Sequence, residues 1–259
     1  MLKQVTLLLI TFCSIAIQAN NFLDVTQHGL EQYQDIIISN QVAQEASGKR
    51  RDCQKRYELI DSVLQQYNRP FTMLDIGAAQ GYYSFRTAYD YPESVCVMIE
   101  GNNPAYPMAG SQLLSLCRAN NLDNTIFLNK KIVPGDLQRL SECEHFDVVL
   151  AMNIIHWFPN NWRQVADAIL NMGDNIIIET PPQEPVTTKE SNRIRGEIVK
   201  YLQDNDAIVL GKIPRHTSNT ETTMYYLQGK RNYLERKTWI TEKKRKDLVS
   251  YSYIRTEYK

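Results

Sequence analysis

A glycine turn that follows a short apolar run is the clearest chemical feature of the sequence. Residues 71–76 read Phe-Thr-Met-Leu-Asp-Ile, so Asp75 lies near the end of a predicted strand, and Gly77 and Gly81 follow it. Glycines let the backbone turn tightly and approach a ligand, and the start of the next helix offers backbone N–H groups. We therefore expect the turn to hold a polar ligand, with its backbone amides facing that ligand.

A second carboxylate, Glu100, ends the next apolar run, which covers residues 95–99. An acid at the end of that strand can accept both hydroxyl groups of a ribose. The same feature suits NAD, so Glu100 indicates a nucleoside ligand without naming it. A dinucleotide turn requires G-x-G-x-x-G, and residues 77–81 do not supply that pattern, which argues against an NAD-dependent oxidoreductase.

Three segments that follow the glycine turn extend its motif into a longer pattern. The turn at residues 75–81 matches D-x-G-x-G-x-G with Ala79 in the middle glycine position. Downstream, residues 135–137 read Gly-Asp-Leu, 146–149 read Phe-Asp-Val-Val, and 153–158 read Asn-Ile-Ile-His-Trp-Phe. In this order the motifs resemble those of class I S-adenosylmethionine-dependent methyltransferases. The resemblance implies that the cofactor is S-adenosyl-L-methionine and that the residues holding it are Asp75, Gly77, Ala79, Gly81, Glu100, Asp136 and Asn153.

The same resemblance places the acceptor side of the site after the fourth and fifth strands, where the catalytic candidates are Asn153, His156 and Glu179. For a hydroxyl acceptor the protein must orient that group and remove a proton, and His156 could act as the general base near neutral pH. In this motif the histidine is also often a helix-packing residue, and Glu179 could contact the acceptor or only cap the turn after its strand. No Cys/His cluster has the spacing of a zinc site, so no metal is expected.

The expected acceptor class rests on a local similarity. Residues 81–84, 99–104 and 116–121 are similar to segments of FkbM-type methyltransferases, which O-methylate sugars and related small hydroxyl compounds. We therefore expect a small-molecule or glycan acceptor that is methylated on a hydroxyl group. Two alternatives stay open: a catalytically silent methyltransferase-like binding module, and an RNA methyltransferase that uses a basic C-terminal tail. Contact of that tail with nucleic acid or an anionic membrane is the less favoured interpretation.

Apolar runs and amphipathic segments alternate along most of the chain, which predicts a parallel sheet with right-handed crossovers. Strands are predicted at 72–76, 95–99, 125–128, 147–152 and 175–179, with helices at 56–67, 82–89, 111–120, 162–172 and 192–203. A weakly patterned helix is predicted at 21–45, and two strands that close the sheet at 207–215 and 221–228. The fold class is therefore α/β: a doubly wound, Rossmann-like, seven-stranded and mostly parallel sheet with an antiparallel last strand and a short C-terminal extension.

The N-terminus has the layout of a secretory signal peptide, with Lys3, an apolar run and the small residue Ala19 before a polar stretch. The predicted parts of the chain are the signal peptide (1–19), a helical segment (20–55), the methyltransferase domain (56–229) and the basic extension (230–259). We expect an exported protein, with a membrane anchor and a cytosolic domain as the alternative. The four cysteines beyond the signal allow three disulfide pairings. The net charge of +0 gives no global attraction to nucleic acid, and the composition excludes collagen-like, coiled-coil and polytopic membrane proteins.

Overall fold

The computed structural model describes residues 33–46, 52–102, 109–182, 188–214 and 220–230. The predicted signal peptide and nearly all of the predicted basic extension lie outside these ranges, so both stay predictions, as do the domain boundaries. Within the ranges no helix is long and apolar enough to cross a membrane.

An antiparallel hairpin, β1 (Ile36–Ile38) and β2 (Gln41–Gln44), comes first among the described elements. Ser39 and Asn40 connect its strands with positive φ angles of 52° and 60°, the backbone that suits a two-residue hairpin turn. The three isoleucines of β1 favour a strand and are buried. The helix predicted at 21–45 is therefore wrong over the described residues, because burial of β-branched side chains and the turn outweigh a weak helical pattern.

A seven-stranded sheet forms the centre of the fold. Its strands are β3 (Thr72–Ile76), β4 (Val95–Glu100), β5 (Thr125–Asn129), β6 (Phe146–Met152), β7 (Gly173–Thr180), β8 (Ile208–Pro214) and β9 (Glu221–Gln228). They lie in the order β5-β4-β3-β6-β7-β9-β8. Strands β3 to β7 are parallel, whereas β9 is antiparallel to both of its neighbours, β7 and β8. The predicted doubly wound, mostly parallel sheet with an antiparallel last strand is confirmed.

Helices cover both faces of this sheet. They are α1 (Cys53–Leu64), α2 (Tyr82–Asp90), α3 (Ala109–Asn120), α4 (Pro134–Cys143), α5 (Trp162–Leu170) and α6 (Lys189–Gln203), with a short 3-10 turn at Ile155–Trp157. Helices α1, α2 and α3 pack on one face, and α4, α5 and α6 on the other. Parallel strands buried on both faces need apolar side chains at successive positions, which explains the continuous apolar runs. The sequence pattern did not predict α4. This helix begins at Pro134, a position in the first turn where proline is favoured.

The four cysteines that could have formed disulfides are Cys53, Cys96, Cys117 and Cys143; of these, Cys96 and Cys143 are free, so no pairing that uses all four is formed. Cys53 and Cys96 are buried and pack as small apolar side chains. In the described part of the chain there is no group of three or more His, Cys, Asp and Glu side chains that could hold a metal ion.

Candidate active site

The sheet reverses its winding direction between β3 and β6, which lie side by side although two strands separate them in the chain. In open α/β sheets, ligands bind at the carboxyl ends of the strands beside such a switch point. Asp75 is the penultimate residue of β3 and pairs with Leu150 of β6, and Asn153 follows β6 directly. Glu100 ends β4 on the other side of β3. The fold therefore brings three of the predicted site residues to one edge of the sheet.

Asp75 is buried, and only one of its two carboxyl oxygens accepts a hydrogen bond from the described residues. Its Oδ2 accepts a hydrogen bond of 2.9 Å from the Ser84 hydroxyl, while Oδ1 finds no donor among the described residues. Burial raises the pKa of Asp75 to about 7; the Ser84 hydrogen bond opposes this rise and the charge of Glu100 adds to it. A buried carboxyl oxygen without a donor is costly, so this position suits a ligand that donates a hydrogen bond or carries positive charge.

The glycine turn has the backbone that its sequence predicts. Gly77 and Gly81 have φ angles of 76° and 75°, and Ala79 between them has a φ of 52°. A Cβ atom at Gly81 would lie 2.8 Å from side-chain atoms of Phe85 and Leu113, so a larger residue cannot enter without displacing them. Only glycine adopts this left-handed backbone without strain. At position 79 the residue is alanine, which has the smallest side chain of the residues other than glycine.

Most amides of this turn donate within the protein, whereas the sequence led us to expect that they face the ligand. Both Gly77 and Ala78 donate to the Ile99 carbonyl oxygen, and Gly81 donates to the carbonyl of Ala78. The first amide of α2, at Tyr82, donates to the side chain of Gln34 at 3.2 Å. For the amides of Gly77, Ala78 and Gly81 the expectation is therefore wrong, because a turn this tight satisfies these N–H groups within itself and against the neighbouring strand.

Glu100 links β4 to the same turn. Its Oε2 accepts from the Ala79 amide at 2.9 Å and its Oε1 from the Gly101 amide at 2.8 Å. Burial raises the pKa of Glu100, and the hydrogen bonds from these two backbone amides oppose the rise. Each oxygen has a further lone pair, so the carboxylate could still accept two hydroxyl groups such as those of a ribose.

Asp136 lies in the first turn of α4 rather than directly after a strand. It pairs with Arg139 and, at 2.9 Å, with Lys130, and hydrogen bonds from these two cations lower the pKa of Asp136. The backbone amide of Lys130 donates to the Glu100 carbonyl oxygen, so Lys130 connects Asp136 to the end of β4. A direct role of Asp136 in holding a ligand stays a prediction.

Asn153 is strained, buried and unsatisfied. Its φ of 59° is in the left-handed region, and its side chain is only 6% exposed. Within the part of the chain that the structure describes, neither its Nδ2 nor its Oδ1 has a hydrogen-bond partner. Its backbone amide donates to the Glu179 carbonyl oxygen at 2.9 Å, which fixes it at the end of β6. Buried orphan groups on a strained backbone are typical of binding sites, because a ligand can satisfy them.

Glu179 does not project freely into the site, because Arg56 holds its carboxylate. The Arg56 Nη2 and Nε atoms lie 3.0 Å and 3.1 Å from Glu179 Oε1, and both side chains are buried. Arg56 also donates to the Thr222 hydroxyl on β9 and to the Asp52 carbonyl. This network fastens α1 to the ends of β7 and β9, so we interpret Glu179 as a structural partner rather than a base.

Sequence reasoning missed Arg56, although a signal was present. Arg56 stands one helical turn before Ile60 and therefore lies on the stripe of α1 that also carries Val63 and Leu64. A charged residue on a buried stripe requires an opposite charge in the core, and Glu179 near the end of β7 supplies it.

His156 and Trp157 form the 3-10 turn after β6. Their rings lie 5.4 Å apart between centroids, and the Trp157 side chain is 58% exposed. Ile155 of the same turn is buried and anchors it. The turn thus presents an imidazole and an indole at the same edge of the sheet as Asn153.

The fold is similar to solved structures of methyltransferases. A structure of the bifunctional kinase-methyltransferase WbdD aligns with a TM-score of 0.59 and 19% identity, over 81% of this chain and 46% of that one. The N-terminal domain of EvdMO1 with SAH bound aligns with a TM-score of 0.55 and 12% identity, over 83% of this chain and 96% of that one. The chain spans less than half the length of the WbdD structures. No family model and no curated protein matches the sequence.

The strand order, the glycine turn at the switch point and these likenesses together define the fold. It is the class I methyltransferase fold, as the resemblance of the motifs predicted.

Proposed function

We propose that the protein is an S-adenosylmethionine-dependent methyltransferase that transfers a methyl group to a hydroxyl of a small-molecule or glycan acceptor. The observation that carries the proposal lies at the switch point of the sheet, where Oδ1 of Asp75 and both polar side-chain atoms of Asn153 are buried and have no hydrogen-bond partner among the described residues. The likeness to a domain with SAH bound supports the same cofactor class. The hydroxyl acceptor rests on the FkbM-type segments of the sequence.

The residues at this edge suit S-adenosylmethionine. The orphan oxygen of Asp75 could accept from the ammonium group of the methionine part, and the carboxylate of Glu100 could accept the ribose hydroxyls. The left-handed backbone of Gly77 and Gly81 shapes the tight turn beside which the ligand would lie. When bound, this cofactor supplies a methyl group already activated on a sulfonium centre.

The protein's own task is to hold the acceptor and remove its proton. Of the three predicted catalytic residues, His156 is the one we retain as general base, because Glu179 is bound to Arg56. Asn153 could orient the acceptor hydroxyl with its amide, which has a donor and an acceptor atom to offer. The exposed ring of Trp157 would form one wall of the acceptor site.

Calorimetric titration of the chain from residue 20 onward with S-adenosylmethionine, SAH and NAD tests the cofactor. We expect binding of the first two, no binding of NAD, and loss of binding in Asp75→Ala. Asp147→Ala is a matched control, because Asp147 is a buried aspartate on β6 whose oxygens are held by Arg69 and Thr72. A folded wild-type protein that binds neither S-adenosyl compound would overturn the proposal.

Turnover is the second test. With a mixture of simple glycosides as acceptors, the protein should release SAH, and His156→Gln should slow the release while SAH still binds. Cofactor binding without any turnover would instead favour the catalytically silent module.

Export through the N-terminal segment remains part of the proposal, and detection of the N-terminus of the mature protein by mass spectrometry would test it.

A further inference from the structure

In the described part of the chain, Gln34 links the segment before the hairpin to the glycine turn. Its side-chain Oε1 accepts from the Tyr82 amide at 3.2 Å, and its own backbone amide donates to the Gln80 side chain at 3.0 Å. Gln34 and Gln80 are both buried. The arrangement is a reciprocal cap of the kind found in a capping box, but it is built from two segments that lie far apart in the chain.

The turn itself cannot provide a side-chain cap for the start of α2. The residue before α2 is Gly81, which has no side chain to accept the first amide of the helix. A capping serine or aspartate could not replace it, since any Cβ there would meet Phe85 and Leu113 at 2.8 Å. The cap of α2 must therefore come from elsewhere, and Gln34 provides it.

Gln34 is itself held in place by the hairpin. Ile36 and Ile37 are fully buried in the core cluster that contains α2 and α3. Asn120, at the end of α3, donates to the Ile37 carbonyl oxygen at 2.8 Å, and Gln80 donates to Gln112 of α3 at 3.1 Å. The hairpin, the turn and α3 therefore form one connected unit.

We propose that the segment at residues 33–46 supports the cofactor site from outside and that its Gln34 is a positioning residue, which fixes the glycine turn by capping α2. The inference rests on the proposed function, because it assigns the turn to a cofactor. It also revises the predicted organisation of the chain, in which the methyltransferase domain begins only at residue 56.

The test compares two glutamines that contact the same residue. Gln34→Ala removes the acceptor of the Tyr82 backbone amide. The control Gln54→Ala removes the 3.0 Å hydrogen bond from the Tyr82 hydroxyl and an exposed one to Glu58, and it leaves the acceptor at the start of α2 in place. Gln34→Glu keeps an acceptor at the helix start. In calorimetric titrations with SAH we expect the dissociation constant to rise on the order of tenfold in Gln34→Ala, since a lost cap shifts the local equilibrium by about this factor. It should change less than about threefold in Gln54→Ala, and it should rise less in Gln34→Glu than in Gln34→Ala, because glutamate keeps an acceptor at the helix start.

Hydrogen exchange of the full chain without ligand provides a readout that does not depend on the cofactor. Amide exchange of residues 77–85 should become on the order of tenfold faster in Gln34→Ala, with strands β6 and β7 unchanged, and should stay at the wild-type rate in Gln54→Ala. If wild-type protein does not bind SAH, the proposed function fails and the exchange rates alone decide whether Gln34 holds the turn. Wild-type exchange in Gln34→Ala, or unchanged SAH binding by that variant, overturns the inference.

Discussion

Replacing Asp75 with asparagine should stabilise the protein at pH 8 and abolish its cofactor binding. Burial raises the pKa of this carboxyl from its ordinary value of 3.8 to about 7. The folded protein therefore binds a proton that the unfolded chain has already released between these two values. The stability that this group contributes is full below about pH 4 and is lost as the pH rises towards about 7.

The magnitude follows from the difference between the two pKa values. A difference of about three corresponds to about 4 kcal/mol, at about 1.4 kcal/mol for each pKa unit. Asparagine bears no charge at any of these pH values, so Asp75→Asn should be more stable than the wild type at pH 8 by up to this amount. Its advantage should grow by about 3 kcal/mol between pH 5 and pH 8, because most of the titration lies in that interval.

Urea unfolding followed by circular dichroism at the two pH values measures this difference. Asp147→Asn is the control, because Arg69 lies 2.6 Å from the Asp147 carboxylate and the Thr72 amide donates to it at 2.7 Å. That variant should be less stable than the wild type at both pH values, since it weakens satisfied contacts.

Cofactor binding gives the complementary measurement. The wild-type affinity for SAH should increase from pH 5 to about pH 7 and then level off, because only the ionised Asp75 attracts an ammonium group. An Asp75→Asn protein that is less stable than the wild type at pH 8, or whose stability difference does not depend on pH, would refute the reasoning that burial leaves this carboxylate unsatisfied.

Three further changes should separate structural from functional residues. Arg56→Met should lower the free energy of unfolding by about 3–5 kcal/mol, because it leaves Glu179 charged and buried, and adding Glu179→Leu should recover much of that loss in urea titrations. Gly81→Ala should cost about 1–3 kcal/mol and weaken SAH binding, because the new Cβ would crowd Phe85 on a strained backbone; a calorimetric titration beside the urea curve would detect both effects. Trp157→Ala should change stability by less than about 0.5 kcal/mol and raise the KM for the acceptor, and an unchanged KM would remove Trp157 from the acceptor site.

The fold was predictable because its central strands β3, β4 and β6 are buried on both faces. Each parallel strand appears in the sequence as a continuous apolar run, and β3 was predicted with the bounds that it has in the structure. The hairpin was not predicted, since β1 is only three residues long and its partner β2 is mostly exposed. Short strands with one polar face leave too weak a pattern to compete with a helical interpretation.

The glycine turn was predictable because it is a local feature. Asp75, Gly77 and Gly81 lie within one short segment, and the backbone that glycine permits does not depend on distant residues. The same holds for Glu100, whose position at the end of an apolar run places it at the edge of the sheet. Residue type and spacing were therefore enough to locate the edge where the cofactor is proposed to bind.

The partners of these groups were decided by the tertiary structure alone. Arg56 and Glu179 are separated by 123 positions in the chain, and Gln34 and Tyr82 by 48. Which side chain meets a buried carboxylate or a helix end depends on how whole helices and strands pack, because hydrogen bonds and ion pairs act over only a few ångströms. The sequence by itself determined the glycine turn and the acids at the strand ends. Packing decided that Glu179 is tied to Arg56, and that one oxygen of Asp75 and the amide of Asn153 find no partner within the described ranges.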